Sequence, residues 1–113
     1  MKRIDRIRLM EDRFDKALRA IEALDDVLMS QEDAHNDSVI PDDVLANYMS
    51  VIPDIKALIS YYESKTWRAD FEADEKGRLP ANLKRGVLSE DGIYNLLTDY
   101  QRLQAILEKD RQV

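Results

Sequence analysis

Asp70 and Asp74 lie one helical turn apart in the run Trp67-Arg68-Ala69-Asp70-Phe71-Glu72-Ala73-Asp74-Glu75-Lys76, so a helix here turns both carboxylates the same way. Oxygen donors placed like this suit a hard cation such as Mg²⁺ or Ca²⁺. No ligand from a second element can be named, however, and the run is not a calcium loop. Glu75 stands where the obligatory turn glycine belongs, and Ala81 where the bidentate glutamate belongs. The preferred reading is a salt network with Arg68, Arg78, Lys84 or Arg85 that fastens the segment. Trp67 and Phe71 are also one turn apart, on the side away from much of this charge. They have the chemistry to grip a partner or a planar ligand. Large aromatics more often fill a core, so the pair is read as a plug at the open end of a helical body.

Residues 76–86 form a basic connector of net charge +4. Next to the free amides of a following helix it can attract an anion. It lacks phosphate-loop spacing, since Gly77 and Gly86 are far apart and no Gly-Lys-Ser/Thr follows. A solvated loop neutralised by Asp70, Asp74 and Asp91 fits better. His35, beside Glu32, Asp33 and Asp37, is a lone histidine in a polar loop and has no second strong metal ligand. No serine has a histidine partner that the spacing justifies. The five tyrosines read as core-edge residues with hydroxyls on water or a carboxylate.

Composition narrows the function classes. The chain has 113 residues, no cysteine, one histidine and a net charge of −6. Disulfides, thiolate metal sites and a cysteine nucleophile are excluded. The acidic balance opposes nucleic-acid binding, although residues 1–19 carry seven basic against four acidic groups. No apolar run reaches the ~18–20 residues of a membrane span, and no signal-peptide pattern opens the chain. A cytoplasmic protein is expected, without cofactor, nucleic acid or membrane.

The elements that must position these residues follow from periodicity. Ile7, Phe14, Ile21 and Leu28 repeat every seven residues, with Met10, Ala17 and Leu24 at the second heptad position, as in a coiled coil. Helices are predicted over about 3–33, 41–64, 67–76, 80–85 and 90–110. Thr66 is the expected cap of the third, and Gly77 and Gly86 the stops of the two short ones. The second carries a stripe of Val44, Tyr48, Val51, Ile55, Leu58 and Tyr62. Pro53 either kinks it or opens a separate helix after a loop at 50–52. Ser89 caps the last helix, with Leu88 and Ile93 in the staple positions. Its stripe is Ile93, Leu96, Leu97, Tyr100, Leu103 and Leu107. Residues 20–63 carry ten acidic groups and one basic, so the mildly basic segments 1–19 and 64–88 can lie against them. The expectation is an all-α single domain over 1–113. It is an antiparallel three-helix bundle with a helical-turn connector between the second and third long helices.

The segment Trp67-…-Asp70-Phe71-Glu72-Ala73-Asp74-Glu75-…-Gly77-…-Leu79-Pro80-…-Leu83-Lys84-Arg85-Gly86-Val87-Leu88-Ser89-Glu90-Asp91-Gly92-Ile93-Tyr94 resembles a family of small bacterial proteins catalogued as a domain of unknown function. The resemblance extends over nearly the whole chain. It implies a cytoplasmic bacterial helical protein and supplies no activity, substrate or catalytic residue. Gly92 departs from the alanine expected there, which would weaken the helix start by about 1 kcal/mol.

The first functional expectation is a non-enzymatic interaction module. Its contact residues are Trp67, Arg68, Asp70, Phe71, Asp74, Arg85, Asp91 and Tyr94, the segment richest in residue types that helix formation does not demand. The alternatives are a homo-oligomer, such as a homodimer, built through the apolar faces of the first two helices, and a divalent-metal protein or enzyme using the carboxylates.

Overall fold

The computed structural model describes residues 1–30 and 40–111, the last two as backbone only. His35 and its acidic neighbours, and the expected extension of the first helix beyond residue 30, lie outside the described residues. Helix α1 spans Arg3–Ser30, α2 Asp42–Tyr62, α3 Lys65–Glu75 and α4 Glu90–Arg111, with a 3₁₀ turn at Gly86–Leu88. The chain is all-helical, with no strand among the described residues.

α2 runs unbroken through Pro53. A proline there forgoes one backbone hydrogen bond, but the apolar phase continues on both sides, so burial outweighs the loss. α3 starts two residues earlier than the sequence predicts. Ser64, not Thr66, is the cap, and its hydroxyl accepts the Trp67 N–H at 3.1 Å. Gly77 closes α3 at φ 69°, with Gly77 N–H donating to the Asp74 carbonyl and Arg78 N–H to the Ala73 carbonyl. That bond pair is the glycine-terminated Schellman ending. Residues 80–85 are turns, and the helical turn predicted there falls instead at Gly86–Leu88. Pro80 accepts the Leu83 N–H and no further turn follows. Ser89 Oγ accepts the Gly92 N–H at 3.1 Å, as an N-cap should.

The core takes Ile7, Phe14, Ala17, Ala20, Ile21 and Leu24 from α1. α2 adds Tyr48, Val51, Ile55, Leu58 and Tyr61, and α4 adds Ile93, Leu96 and Leu103. The stripe predicted for α2 shifts at its end: Tyr61 is buried and Tyr62 only half-buried. Specific pairs set the register. Arg6 and Asp70 meet at one end of α1, Arg13 pairs with Asp54 at 2.9 Å, and Asp25 pairs with Arg102 at 3.0 Å. Tyr48 donates to Gln104 Oε1 at 2.9 Å. α1 therefore meets α2 at Arg13–Asp54 and α4 at Asp25–Arg102, and α2 meets α4 at Tyr48–Gln104. The basic start of α1 and the acidic α2 are adjacent, as their opposite charges favour.

Candidate functional site

The edge predicted to carry contacts runs from α3 through the connector into the start of α4. Its centre is Asp70, the one fully buried charged residue among those described. Its carboxylate accepts from Arg6 Nη2 at 2.6 Å and Nε at 3.0 Å, from Arg3 Nε at 3.0 Å, and from the Tyr61 hydroxyl at 2.6 Å. Burial alone would raise the carboxyl pKa. Hydrogen bonds from Arg6 and Tyr61, the Arg6 charge and the Arg3 bond outweigh it and hold Asp70 below the ordinary carboxylate value. The same contact raises Arg6, and burial followed by the bond to Asp70 raises Tyr61. The anticipated partners of Asp70 were Arg68, Arg78, Lys84 and Arg85. The observed cations, Arg3 and Arg6, come from the start of α1, because Asp70 points under α3 toward α1 and not outward.

Asp74 is half-buried and pairs with Arg85, as one of the anticipated salt links. Arg85 Nη2 also donates to the Pro80 carbonyl at 3.0 Å, and its Nε to the Leu83 carbonyl at 3.3 Å. One guanidinium thus gathers the turns of 80–83 and ties them to α3, which is what a planar multi-donor fork does well. Both carboxylates that a cation would need are therefore engaged by arginines. No group of three or more potential metal ligands occurs among the described residues.

Trp67 is buried and its indole N–H donates to the Val87 carbonyl at 3.0 Å. Its ring meets Tyr62 edge-on at 4.9 Å and stacks on Phe71 at 5.1 Å. The plug reading of Trp67 and Phe71 describes this arrangement. Glu11, which the sequence reading passed over, reaches from α1 to accept the Val87 N–H at 2.9 Å. Gly86 leaves room beside it, since a Cβ there would lie 2.9 Å from Glu11 Oε1 and 3.3 Å from Phe14 and would push the Glu11 carboxylate aside. Val87 is thus held on both backbone polar groups, its carbonyl by Trp67 and its amide by Glu11. Gly92 is more than a weak helix start, because an added Cβ would be 3.3 Å from the Gly86 carbonyl oxygen and from Ser89.

Of the eight anticipated contact residues, the structure buries Trp67 and Asp70, half-buries Phe71, Asp74 and Arg85, and leaves Arg68, Asp91 and Tyr94 exposed. Neither Arg68 nor Asp91 has an ion-pair partner among the described residues. The faces invoked for self-association through α1 and α2 are largely spent on the chain's own core. Arg3, Arg6, Glu11 and Tyr61 were missed as site residues. The spacing of Arg3 and Arg6, one turn apart at the start of an otherwise amphipathic helix, was the available signal.

A family model described as Domain of unknown function (DUF4298) matches residues 40–108, more than half of the chain. The chain belongs to that family. The DUF4298 match takes in α2, α3, the connector and most of α4, so Asp70, Asp74, Trp67, Arg85 and Val87 lie inside it and Arg3, Arg6 and Glu11 outside. No curated protein and no solved structure matches the chain. No helix among the described residues is long and apolar enough to cross a membrane.

Proposed function

We propose that this chain is a non-enzymatic protein-interaction module that works in the bacterial cytoplasm and presents the 67–91 edge to a protein partner. The observation that carries the reading is the division of labour along that edge. Trp67, Asp70, Asp74 and Arg85 are spent on holding the backbone, while Arg68, Asp91 and Tyr94 project from it, Tyr94 at 60% exposure. A backbone already fixed in the free protein need not be ordered on binding, which lowers the cost of association. The long helices are read as an antiparallel three-helix bundle with coiled-coil-like spacing, in which α2 opposes α1 and α4. The pairs Arg13–Asp54, Tyr48–Gln104 and Asp25–Arg102 support it. The net charge of −6 argues for a protein partner over nucleic acid or an anionic membrane. No metal chemistry is assigned, because Asp70 and Asp74 serve arginines.

The test is affinity capture from the source cells with tagged wild type, Arg68→Glu and Tyr94→Ser, each checked by circular dichroism. The reading expects a protein captured by wild type and lost by at least one folded variant. Identical captures from all three, or none above a tag-only control, overturn it. Arg85→Glu is unsuitable, because Arg85 holds Asp74 and the connector together.

A further inference from the structure

Behind Tyr94 the surface does not close. α4 packs mainly on α1, and its seam with α2 is open toward solvent in two hollows. The larger, about 300 Å³, lies between Ile59, Tyr62 and Glu63 of the α2 end and Tyr94, Leu97 and Tyr100 of α4. The smaller, about 80 Å³, lies between Met49 and Ile52 and the residues Gln104, Leu107 and Glu108. Met49, Ile52, Ile59 and Glu63 recur at three-, four- and seven-residue steps along α2. Tyr94, Leu97, Gln101, Gln104 and Glu108 do so along α4. The two hollows lie end to end along these rows, and together they make a trough with the spacing on which one more helix can lay its apolar face. From Met49 to Tyr62 the trough is about 20 Å long at 1.5 Å per residue, which takes about 14 residues of helix.

Charge selects the occupant. Glu63 lines one end and Glu108 the other. Asp91, exposed, stands one turn before Tyr94 at the Glu63 end, while the exposed Lys56 sits midway on α2. A second copy docked by a two-fold axis brings acid to acid at the ends in either direction, and Lys56 against Lys56. An anionic bilayer is repelled by the same ends. We infer that the α2–α4 trough is a docking groove for a basic-ended amphipathic helix of a partner protein, with apolar residues at i, i+3/i+4 and i+7 and Lys or Arg at both ends. This rests on the interaction reading above and adds the kind of partner to it.

The test uses full-length protein and labelled 18-residue peptides followed by fluorescence anisotropy. One peptide carries a leucine stripe with lysines at both ends, a second the same stripe with glutamates, and a third the lysine peptide's composition in scrambled order. Wild type should bind the first at least about ten-fold more tightly than either other, and Glu63→Lys/Glu108→Lys should reverse the preference between the first two. Both substitutions are at exposed positions, and folding is checked by circular dichroism. Equal binding of the first two peptides, equal binding of the scrambled one, or an unchanged preference in the double variant overturns the groove. So does concentration-dependent dimerisation in sedimentation that the double variant abolishes, which would seat a second copy there, or binding to anionic vesicles that the lysine peptide displaces. Loss of partner capture in Arg68→Glu with no peptide preference would leave the interaction module standing and remove only the groove.

Discussion

Replacing Asp70 with asparagine tests the reasoning about the edge most directly. The substitution keeps shape and volume, removes the charge and turns one of the two acceptor oxygens into an NH₂ donor. In the wild type four hydrogen bonds converge on that carboxylate, from Arg3, Arg6 and Tyr61. Removing one partner of a buried ion pair ordinarily costs about 3–5 kcal/mol. Here the cations are only partly buried, with the Arg6 side chain 24% and the Arg3 side chain 44% exposed, so water recovers part of the loss. A cost of about 2–3 kcal/mol at pH 7 is expected, a fall in Tm of about 8–15 °C for a chain of this size. Equilibrium urea unfolding at pH 7 and at lower pH is the assay. Because the folded pKa of Asp70 is depressed, its stabilisation is present above the ordinary carboxylate value of about 3.9 and disappears as pH falls through the lower folded value. The gap between wild type and Asp70→Asn should therefore be widest at neutral pH and shrink in acid. A loss under about 0.5 kcal/mol, or a gap as wide in strong acid as at pH 7, would refute the account of Asp70 as the clasp between α3 and α1.

Trp67→Phe keeps most of the stacking but orphans the Val87 carbonyl, so it should cost about 1–2 kcal/mol in thermal unfolding, against about 3–5 for Trp67→Ala. Gly86→Ala should cost about 1–2 kcal/mol, because its Cβ displaces Glu11 from the Val87 amide, and the cost should largely vanish in a Glu11→Ala background. Gly92→Ala should fail to deliver the ~1 kcal/mol gain of helix propensity, since the new methyl group crowds the Gly86 carbonyl; a full gain in urea unfolding would contradict that crowding. Tyr61 and Tyr48 have raised pKa values, so their stabilisation is intact below the ordinary tyrosine value of about 10 and is lost as pH rises through the folded ones. Tyr61→Phe should flatten the alkaline limb of the stability profile.

The helical class and the three long elements were legible because a heptad of apolar residues is a local signal that tertiary context rarely overrides. Ser89, Gly77 and the Asp74–Arg85 pair were legible for the same reason, each partner lying within a few turns of the other. Ser64 and Thr66, two residues apart, both carry a capping hydroxyl, and the backbone geometry settles on Ser64. The segment 80–85 does not run on as a helix: the Pro80 carbonyl accepts the Leu83 N–H, no further backbone turn follows, and the Arg85 side chain braces the Pro80 and Leu83 carbonyls. Asp70 was read as a surface carboxylate, as its residue type suggests. Its burial depends on two arginines more than sixty positions away, and no periodicity encodes a pairing at that range. The same holds for Glu11 and Val87, and for the choice of Tyr61 over Tyr62 on the inner face of α2.

The clasp joining Asp70 to Arg3 and Arg6 spans 67 and 64 positions of chain. During synthesis the opening turn of α1 is made before any of its carboxylate's surroundings exist. It can coil early, but its guanidinium groups stay hydrated until α3 leaves the ribosome and folds back. That turn thus emerges well before it can be fastened, and a nascent chain halted short of residue 70 should leave it open to a protease that cuts after arginine.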